Sequence, residues 1–147
     1  MSKSNVWETD LLKLVFNNDA AAGIGDAGGL RGSVTAGNLY LRLHTADPGE
    51  VGTQATNETT YTGYAAMAVP RTAAGFTVSG NGVNLTTAVE FGECTANPGV
   101  PITHISIGDD PTGAGKIRYK GTLTPNIAMA VGTAPRIKTT ANLVTED

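Results

Sequence analysis

Residues 39–71 read LYLRLHTADPGEVGTQATNETTYTGYAAMAVPR, and this stretch decides the fold class. It opens with strict alternation, in which Leu39, Leu41 and Leu43 point to one face of an extended chain and the residues between them to the other. An Asp-Pro-Gly sequence follows at 47–49, and each of its residues favours a turn. The pattern predicts a half-buried β-strand that ends at this turn.

Short strand patterns continue from here to residue 147. The predicted strands are 38–45, 64–70, 75–79, 83–91, 102–107, 116–123, 126–131, 135–139 and a short one at 142–145. Residues rich in Gly, Asn and Pro separate them, including a predicted turn at 124–126. No helical pattern intervenes, so a parallel α/β sheet is not expected. The sequence predicts one mainly β domain over residues 38–147, an antiparallel β-sandwich or barrel of jelly-roll or immunoglobulin-like type.

Residues 1–37 have a different character and are predicted to form an N-terminal helix and a flexible arm for docking. Asn5 and Glu8 have the spacing of a capping box, which predicts a helix start near Val6. Four large side chains share one face of this helix: Trp7, Leu11, Leu14 and Val15. Residues 20–37 are mostly glycine and alanine. The helix can pack on its own β-domain or on a neighbouring subunit, and the sequence leaves both open.

Composition excludes several classes of protein. A net charge of −3 and a pI near 5.3 offer no electrostatic basis for binding nucleic acid. A single cysteine, Cys94, rules out a disulfide within the chain and any zinc motif that needs a cysteine pair, and it is interpreted as a small, partly buried apolar residue. No apolar run has the length of a membrane span or of a signal-peptide core. We therefore expect a chain made and folded in a cytoplasm, with no membrane partner.

Motifs for chemistry are weak. Residues 23–28 match G-x-G-x-x-G but follow a helix instead of a strand, which favours a flexible arm. Residues 113–116 are similar to part of a phosphate-binding loop but lack its first glycine and its final hydroxyl, so a turn leading into a strand is expected. His44 and His104 lie in predicted strands and are interpreted as surface or interface histidines. We expect no catalytic residue, no cofactor-binding residue, no metal site and no cofactor.

One charged pattern has two interpretations. Lys116, Arg118 and Lys120 alternate, so they project from one face of a strand. They form either a solvated face whose charges deter edge aggregation or a basic stripe that docks on an acidic neighbour. The acidic C-terminal residues 145–147 of a second copy are one candidate for that neighbour.

The chain resembles a family of small tailed-phage virion proteins, often labelled tail fibre proteins. The resemblance lies in L-x-L-x-T-x-D-P-G-x-x-G at residues 41–52 and G-Y-x-x-x-x-V-x-R at residues 63–71, and it continues through 103–108, 113–117, 121–123 and 145–147. These are strand and turn motifs, with no site chemistry. The resemblance implies a non-enzymatic structural protein of a phage particle.

The location within the particle has two interpretations. A chain of 147 residues with one β-domain leaves no room for a fibre shaft, which favours a capsid decoration (cement) protein on the capsid exterior. Its partners would be the major capsid protein and, in a homotrimer, itself. The alternative is a tail fibre or tail-tip β-module that contacts the host surface or a glycan. The predicted interface residues are Trp7, Leu11, Leu14, Val15, Lys116, Arg118 and Lys120.

Overall fold

The computed structural model describes residues 2–25, 29–30, 32–140 and 142–146. It is mainly β, as predicted, with antiparallel strand pairs. The elements are α1 (Asn5–Leu12), a π-helical turn (Lys13–Asn17), β1 (Asn38–His44), β2 (Met67–Pro70), β3 (Phe76–Ser79), β4 (Gly82–Leu85), β5 (Val89–Glu90), β6 (Ile102–Gly108), β7 (Ile117–Ile127), β8 (Arg136–Ile137) and β9 (Val144–Thr145). Across the described residues, no helix is both long and apolar enough to cross a membrane.

The chain divides into two compact units built from interleaved segments. The first contains Met1–Asn38, Val69–Ala88 and Lys138–Asp147, and the second contains Leu39–Ala68 and Val89–Ile137. Three sheets have the strand orders β2-β1-β6-β7, β3-β4-β9 and β5-β8. The predicted division into residues 1–37 and 38–147 stays a prediction.

In the second unit, β1 is buried on both faces. Leu41 and Leu43 are fully buried and lie opposite isoleucines of β6, as the alternation predicts. Arg42 and His44 are fully buried as well, so the expectation of a half-buried strand is wrong for the second face. That face is covered because residues 56–58 and the turn at 110–113 supply hydrogen-bond acceptors for these two side chains.

In the first unit, the N-terminal helix packs on the sheet of its own unit, one of the two arrangements that the sequence leaves open. Leu12 and Phe16 are fully buried, and the Phe16 ring meets Phe76 of β3 edge-on, with ring centroids 5.0 Å apart. The predicted capping box is wrong, because the helix begins one residue earlier. Ser4 is the N-cap, and its hydroxyl accepts a hydrogen bond from the Trp7 N–H.

Residues near the two ends of the chain meet at the turn between β3 and β4. Lys3 forms an ion pair with Glu146. The Glu146 N–H donates to the Asn81 carbonyl over 2.9 Å, and the Asn81 amide donates to the Glu146 carbonyl over 2.8 Å. Next to this contact, β9 pairs with β4 through Gly82 with Thr145 and Val83 with Val144.

Strand β7 differs from the prediction of two strands separated by a turn. It is continuous, but Thr122 pairs with His104 of β6 and Ile127 pairs with Ile102, so residues 123–126 bulge out of the ladder. The predicted turn at 124–126 falls within this bulge. Pro125 lacks an N–H, which is tolerated in a bulge on a strand at the edge of a sheet. The predicted strand 83–91 is also wrong as a single element, since β4 and β5 divide it.

Candidate functional site

The most distinctive polar feature of the second unit is the fully buried guanidinium of Arg42. It donates to the Glu58 carboxylate over 3.1 Å, to the Gly113 carbonyl over 2.9 Å and to the Asp110 carbonyl over 2.7 Å. The Asp110 carboxylate lies 3.7 Å from it. A buried cation is stable only when paired and hydrogen-bonded, so these contacts hold the 110–113 turn and Glu58 against β1.

The Asp110 carboxylate organises the same turn. It accepts the Thr112 N–H over 2.8 Å and the Gly113 N–H over 2.7 Å. These two hydrogen bonds, first the one from Gly113 and then the one from Thr112, hold the pKa of Asp110 below its usual value. The prediction that residues 113–116 form a turn leading into a strand is confirmed, since β7 begins at Ile117.

A tyrosine supports Glu58 from the other side. The Tyr64 hydroxyl donates to the Glu58 carboxylate over 2.8 Å and accepts the Leu43 N–H over 3.0 Å. Burial raises the pKa of the Tyr64 phenol. The Tyr64 ring also stacks on Phe91 and meets Tyr61 edge-on, with centroids 6.1 and 5.4 Å apart. Glu58 is therefore fixed in one geometry by two donors.

His44 is buried beside this network, so its interpretation as a surface or interface histidine is wrong. Its Nδ1 lies 2.8 Å from the Thr56 carbonyl, which can only accept, so Nδ1 carries a proton. The neutral ring then accepts at Nε2 from the Ser106 hydroxyl, 2.7 Å away. Burial is the main cause that lowers the pKa of His44 below 6.5. His104 is half-buried and fits its interpretation better.

The pairing of Ser106 with His44 has the geometry of a nucleophile and a base. Both residues are fully buried, however, and the second ring nitrogen faces a carbonyl instead of a carboxylate. A substrate cannot reach either atom in this arrangement. The pair therefore acts as a structural hydrogen bond between β1 and β6.

Two members of the basic stripe, Arg118 and Lys120, are paired with carboxylates within the chain. Arg118 bonds Asp109 over 2.8 Å, and Lys120 lies 3.1 Å from Asp47 and 3.0 Å from Glu50. These pairs border an open groove of about 360 Å³ between the 49–52 turn and the start of β7. Two of the three basic side chains thus face three carboxylates, which removes most of the net charge that docking on an acidic neighbour would use.

The other members of the predicted charge pairing are Lys116 and the acidic C-terminal residues. Lys116 is exposed at the start of the stripe. Glu146, one of the acidic residues suggested as a partner for the stripe, forms its ion pair with Lys3, and Asp147 lies outside the described residues. The interface roles of Lys116, Arg118 and Lys120 stay predictions.

The apolar interface candidates lie together on the N-terminal helical segment. Trp7, Leu11, Leu14 and Val15 are all half-buried beside the buried side chains of Leu12 and Phe16. Their remaining exposed surface is available to a partner, and the interface role stays a prediction.

Arg71 is an organising residue that sequence reasoning missed. Its guanidinium donates to the carbonyls of Val15, Leu14 and Ala36 over 2.7, 2.9 and 3.1 Å. It also reaches the Asn18 side chain over 3.2 Å and the Ser33 hydroxyl over 3.3 Å. It thereby ties the helix end to the segment that leads into β1. The sequence signal that could have identified Arg71 is its place at the end of the G-Y-x-x-x-x-V-x-R motif.

The remaining candidate positions have simple structural roles or fall outside the description. Cys94 is a fully buried free thiol, which agrees with its interpretation as an apolar residue. Residues 26–28 of the glycine motif lie outside the described residues. Within the described ranges, no group of three or more His, Cys, Asp or Glu side chains is arranged to hold a metal ion. The expected absence of metal and cofactor stays a prediction.

Comparison with known proteins assigns a family. No curated protein has a sequence that matches this chain. The family described as Podophage GP4 fiber I protein gp80 matches residues 2–145, nearly the full length. The chain therefore belongs to this family of structural proteins of the tailed-phage virion.

Proposed function

We propose that the chain is a non-enzymatic component of the podophage fibre that works by making contacts with neighbouring virion subunits. The match over residues 2–145 to a family described as a fiber protein carries this proposal. The internal contacts are consistent with it, because Arg42, Arg71 and the Ser106–His44 pair all serve to hold segments of the chain together.

The surface for these contacts lies on the first unit. Four of the large apolar side chains that are more than a third exposed belong to residues 1–38: Val6, Ile24, Leu30 and Val34. Val6 is 72% exposed and adjoins the half-buried Trp7 on the helix. Exposed aliphatic side chains beside a partly covered aromatic ring are typical of the apolar core of a subunit interface.

Decoration of the capsid exterior is a second proposal, favoured by the same exposed side chains. In it, a homotrimer would lay the N-terminal segment along the major capsid protein, and many weak identical contacts would stabilise the lattice through multivalency. Immunogold labelling of virions and the number of copies of the protein per virion distinguish capsid decoration from a fibre component. Hundreds of copies on the head would support decoration, whereas label confined to fibres would support the fibre.

A pair of matched variants tests the docking surface. Val6→Glu places a charge on the helix, and Val51→Glu places the same charge on a turn of the second unit where Val51 is 99% exposed. Both changes are at solvent-exposed positions, so both variants should fold. Phage lacking the gene would be complemented with each protein, and incorporation into purified particles measured by quantitative mass spectrometry.

We expect Val6→Glu to be folded by circular dichroism but depleted from particles, with Val51→Glu incorporated normally. Equal incorporation of both variants would show that this helix surface is not the contact. Hydrolysis of a host-surface polymer by the purified protein would overturn the non-enzymatic assignment.

A further inference from the structure

Residues 56–59, here called the strap, run beside the last residues of β1 and attach to them by side-chain and backbone bonds. The Thr45 N–H donates to the Asn57 carbonyl over 2.9 Å, and the Thr59 N–H donates to the Leu43 carbonyl over 3.0 Å. His44 donates to the Thr56 carbonyl. We infer that the strap is an acid-responsive element, whose attachment to β1 loosens when His44 takes up a proton.

The hydrogen bond at Nε2 of His44 suits only the neutral ring, whereas the one at Nδ1 can be made by both forms and favours the protonated one. Nδ1–H is committed to the Thr56 carbonyl, and Nε2 accepts from Ser106. A proton on Nε2 would turn this nitrogen into a donor, so the Ser106 hydroxyl would have to turn its hydrogen elsewhere. Ser106 is fully buried, so water is not available to accept that hydrogen.

The charged groups on the surrounding elements do not compensate for a new charge. Arg42 lies two residues away on β1, and His104 lies directly opposite on β6, and both disfavour protonation of His44. Asp47, in the turn after β1, favours it, but this carboxylate already bonds Lys120. Burial opposes the charge most strongly, and it outweighs the hydrogen bond to the Thr56 carbonyl, which favours the charge.

Glu58, on the strap itself, is paired in the ladder with His44, but its carboxylate is held by Arg42 and Tyr64. A protonated His44 therefore has no free carboxylate among these neighbours. Opening the strap would let water reach the ring, and this route costs less than unfolding the sheet because the ladder between β1 and β6 stays paired.

Linkage gives the direction and size of the effect. The pKa of His44 is lowered from 6.5 in the folded chain, so the opened state binds a proton that the closed state does not. The strap is then most firmly attached above pH 6.5 and loosens as the pH falls below 6.5. Between pH 6.5 and the lowered pKa of His44 in the closed state, the equilibrium constant for opening of the strap rises by up to about tenfold for each unit by which the pH falls.

Detachment of the strap from β1 would also change the surface of the protein beside it. Glu58 and Thr59 of the strap line an open groove of about 480 Å³ together with Tyr61, Tyr64 and Thr112. Acid would therefore reshape this groove while the β1–β6 ladder stays paired.

Hydrogen exchange of the full chain between pH 7.5 and 5, corrected for intrinsic exchange rates, tests the inference. We expect the protection of the Thr45 and Thr59 amides to fall with acid in the wild type, and this fall to be reduced in His44→Gln. Glutamine can donate to Thr56 and accept from Ser106, but it does not titrate. His104→Gln is the matched control and should keep the wild-type acid response.

An unchanged acid response in His44→Gln, or its loss in His104→Gln, would overturn the inference. If His44→Gln does not fold, an NMR titration of the wild-type protein tests the inference instead. We expect the His44 ring to titrate below 6.5 together with the Thr56 and Glu58 amides. A ring that titrates at 6.5, or that titrates while those amides do not shift, would refute the coupling.

Discussion

Replacing Phe16 with alanine tests whether the N-terminal helical segment is an integral part of the first unit. Phe16 is fully buried against the edge of Phe76. Removing a buried phenylalanine side chain costs about 3–5 kcal/mol through lost burial and the cavity left behind. An aromatic pair of this geometry contributes about 0.5–1.5 kcal/mol beyond area burial. We expect Phe16→Ala to lower the free energy of unfolding by about 4 kcal/mol.

Urea denaturation measures this change with two probes. Trp7 is the single tryptophan of the chain and lies in α1, so its fluorescence reports on the helix. Far-ultraviolet circular dichroism reports mainly on the strands. Both probes should show one transition, shifted to lower urea in the variant. Val6→Ala is the control, because a substitution at a side chain that is 72% exposed should change stability by no more than about 0.5 kcal/mol.

Two results would refute the packing argument. One is a stability loss for Phe16→Ala of less than about 1 kcal/mol, which is the range of ordinary substitutions. The other is a variant in which Trp7 fluorescence is already that of a free helix without urea, while the strand transition is unchanged. The helix would then be a detachable arm.

Three further outcomes are expected. Arg71→Ala removes donors from several carbonyls, so it should destabilise the chain by about 2–4 kcal/mol and raise hydrogen exchange over residues 14–25 and 32–36. Its control, Arg118→Ala, removes an exposed ion pair worth about 0.2–1 kcal/mol. Equal effects of the two changes would show that Arg71 does not hold these segments together. Burial raises the pKa of Tyr61 to about 12, so ultraviolet titration should leave this phenol protonated at pH 10.5, and complete ionisation there would argue against its burial. Cys94 is fully buried, so a thiol reagent should modify it only after denaturant is added; modification of the native chain at the rate of a free thiol would count against the fold.

The sequence predicted the elements that depend on local pattern. Alternating leucines identified β1, and Asp47-Pro48-Gly49 marked its end, because side-chain period and turn chemistry are properties of neighbouring residues. The same pattern cannot tell what covers the second face of a strand. Arg42 and His44 are buried by residues 56–58 and 110–113, which are distant in sequence.

The division into units had no local signal. The first unit joins residues from three separate stretches, and Arg71 finds its acceptors at positions 14, 15 and 36. Such contacts depend on how the chain is routed, and composition does not encode the routing. A small-residue stretch at 20–37 therefore predicts an arm, although Arg71 and the reciprocal bonds between Asn18 and Ser33 hold parts of it in place.

The meeting of Lys3 and Glu146 at the β3–β4 turn determines how the first unit would respond to a pulling force. A force applied between these two residues would act first on their ion pair and on the hydrogen bonds between Glu146 and Asn81, and then on the two residue pairs that join β9 to β4. The bonds at this end would open one after another, as in peeling, and each would resist alone. In an assembled particle, the first unit would thus have a weak link that yields before its core.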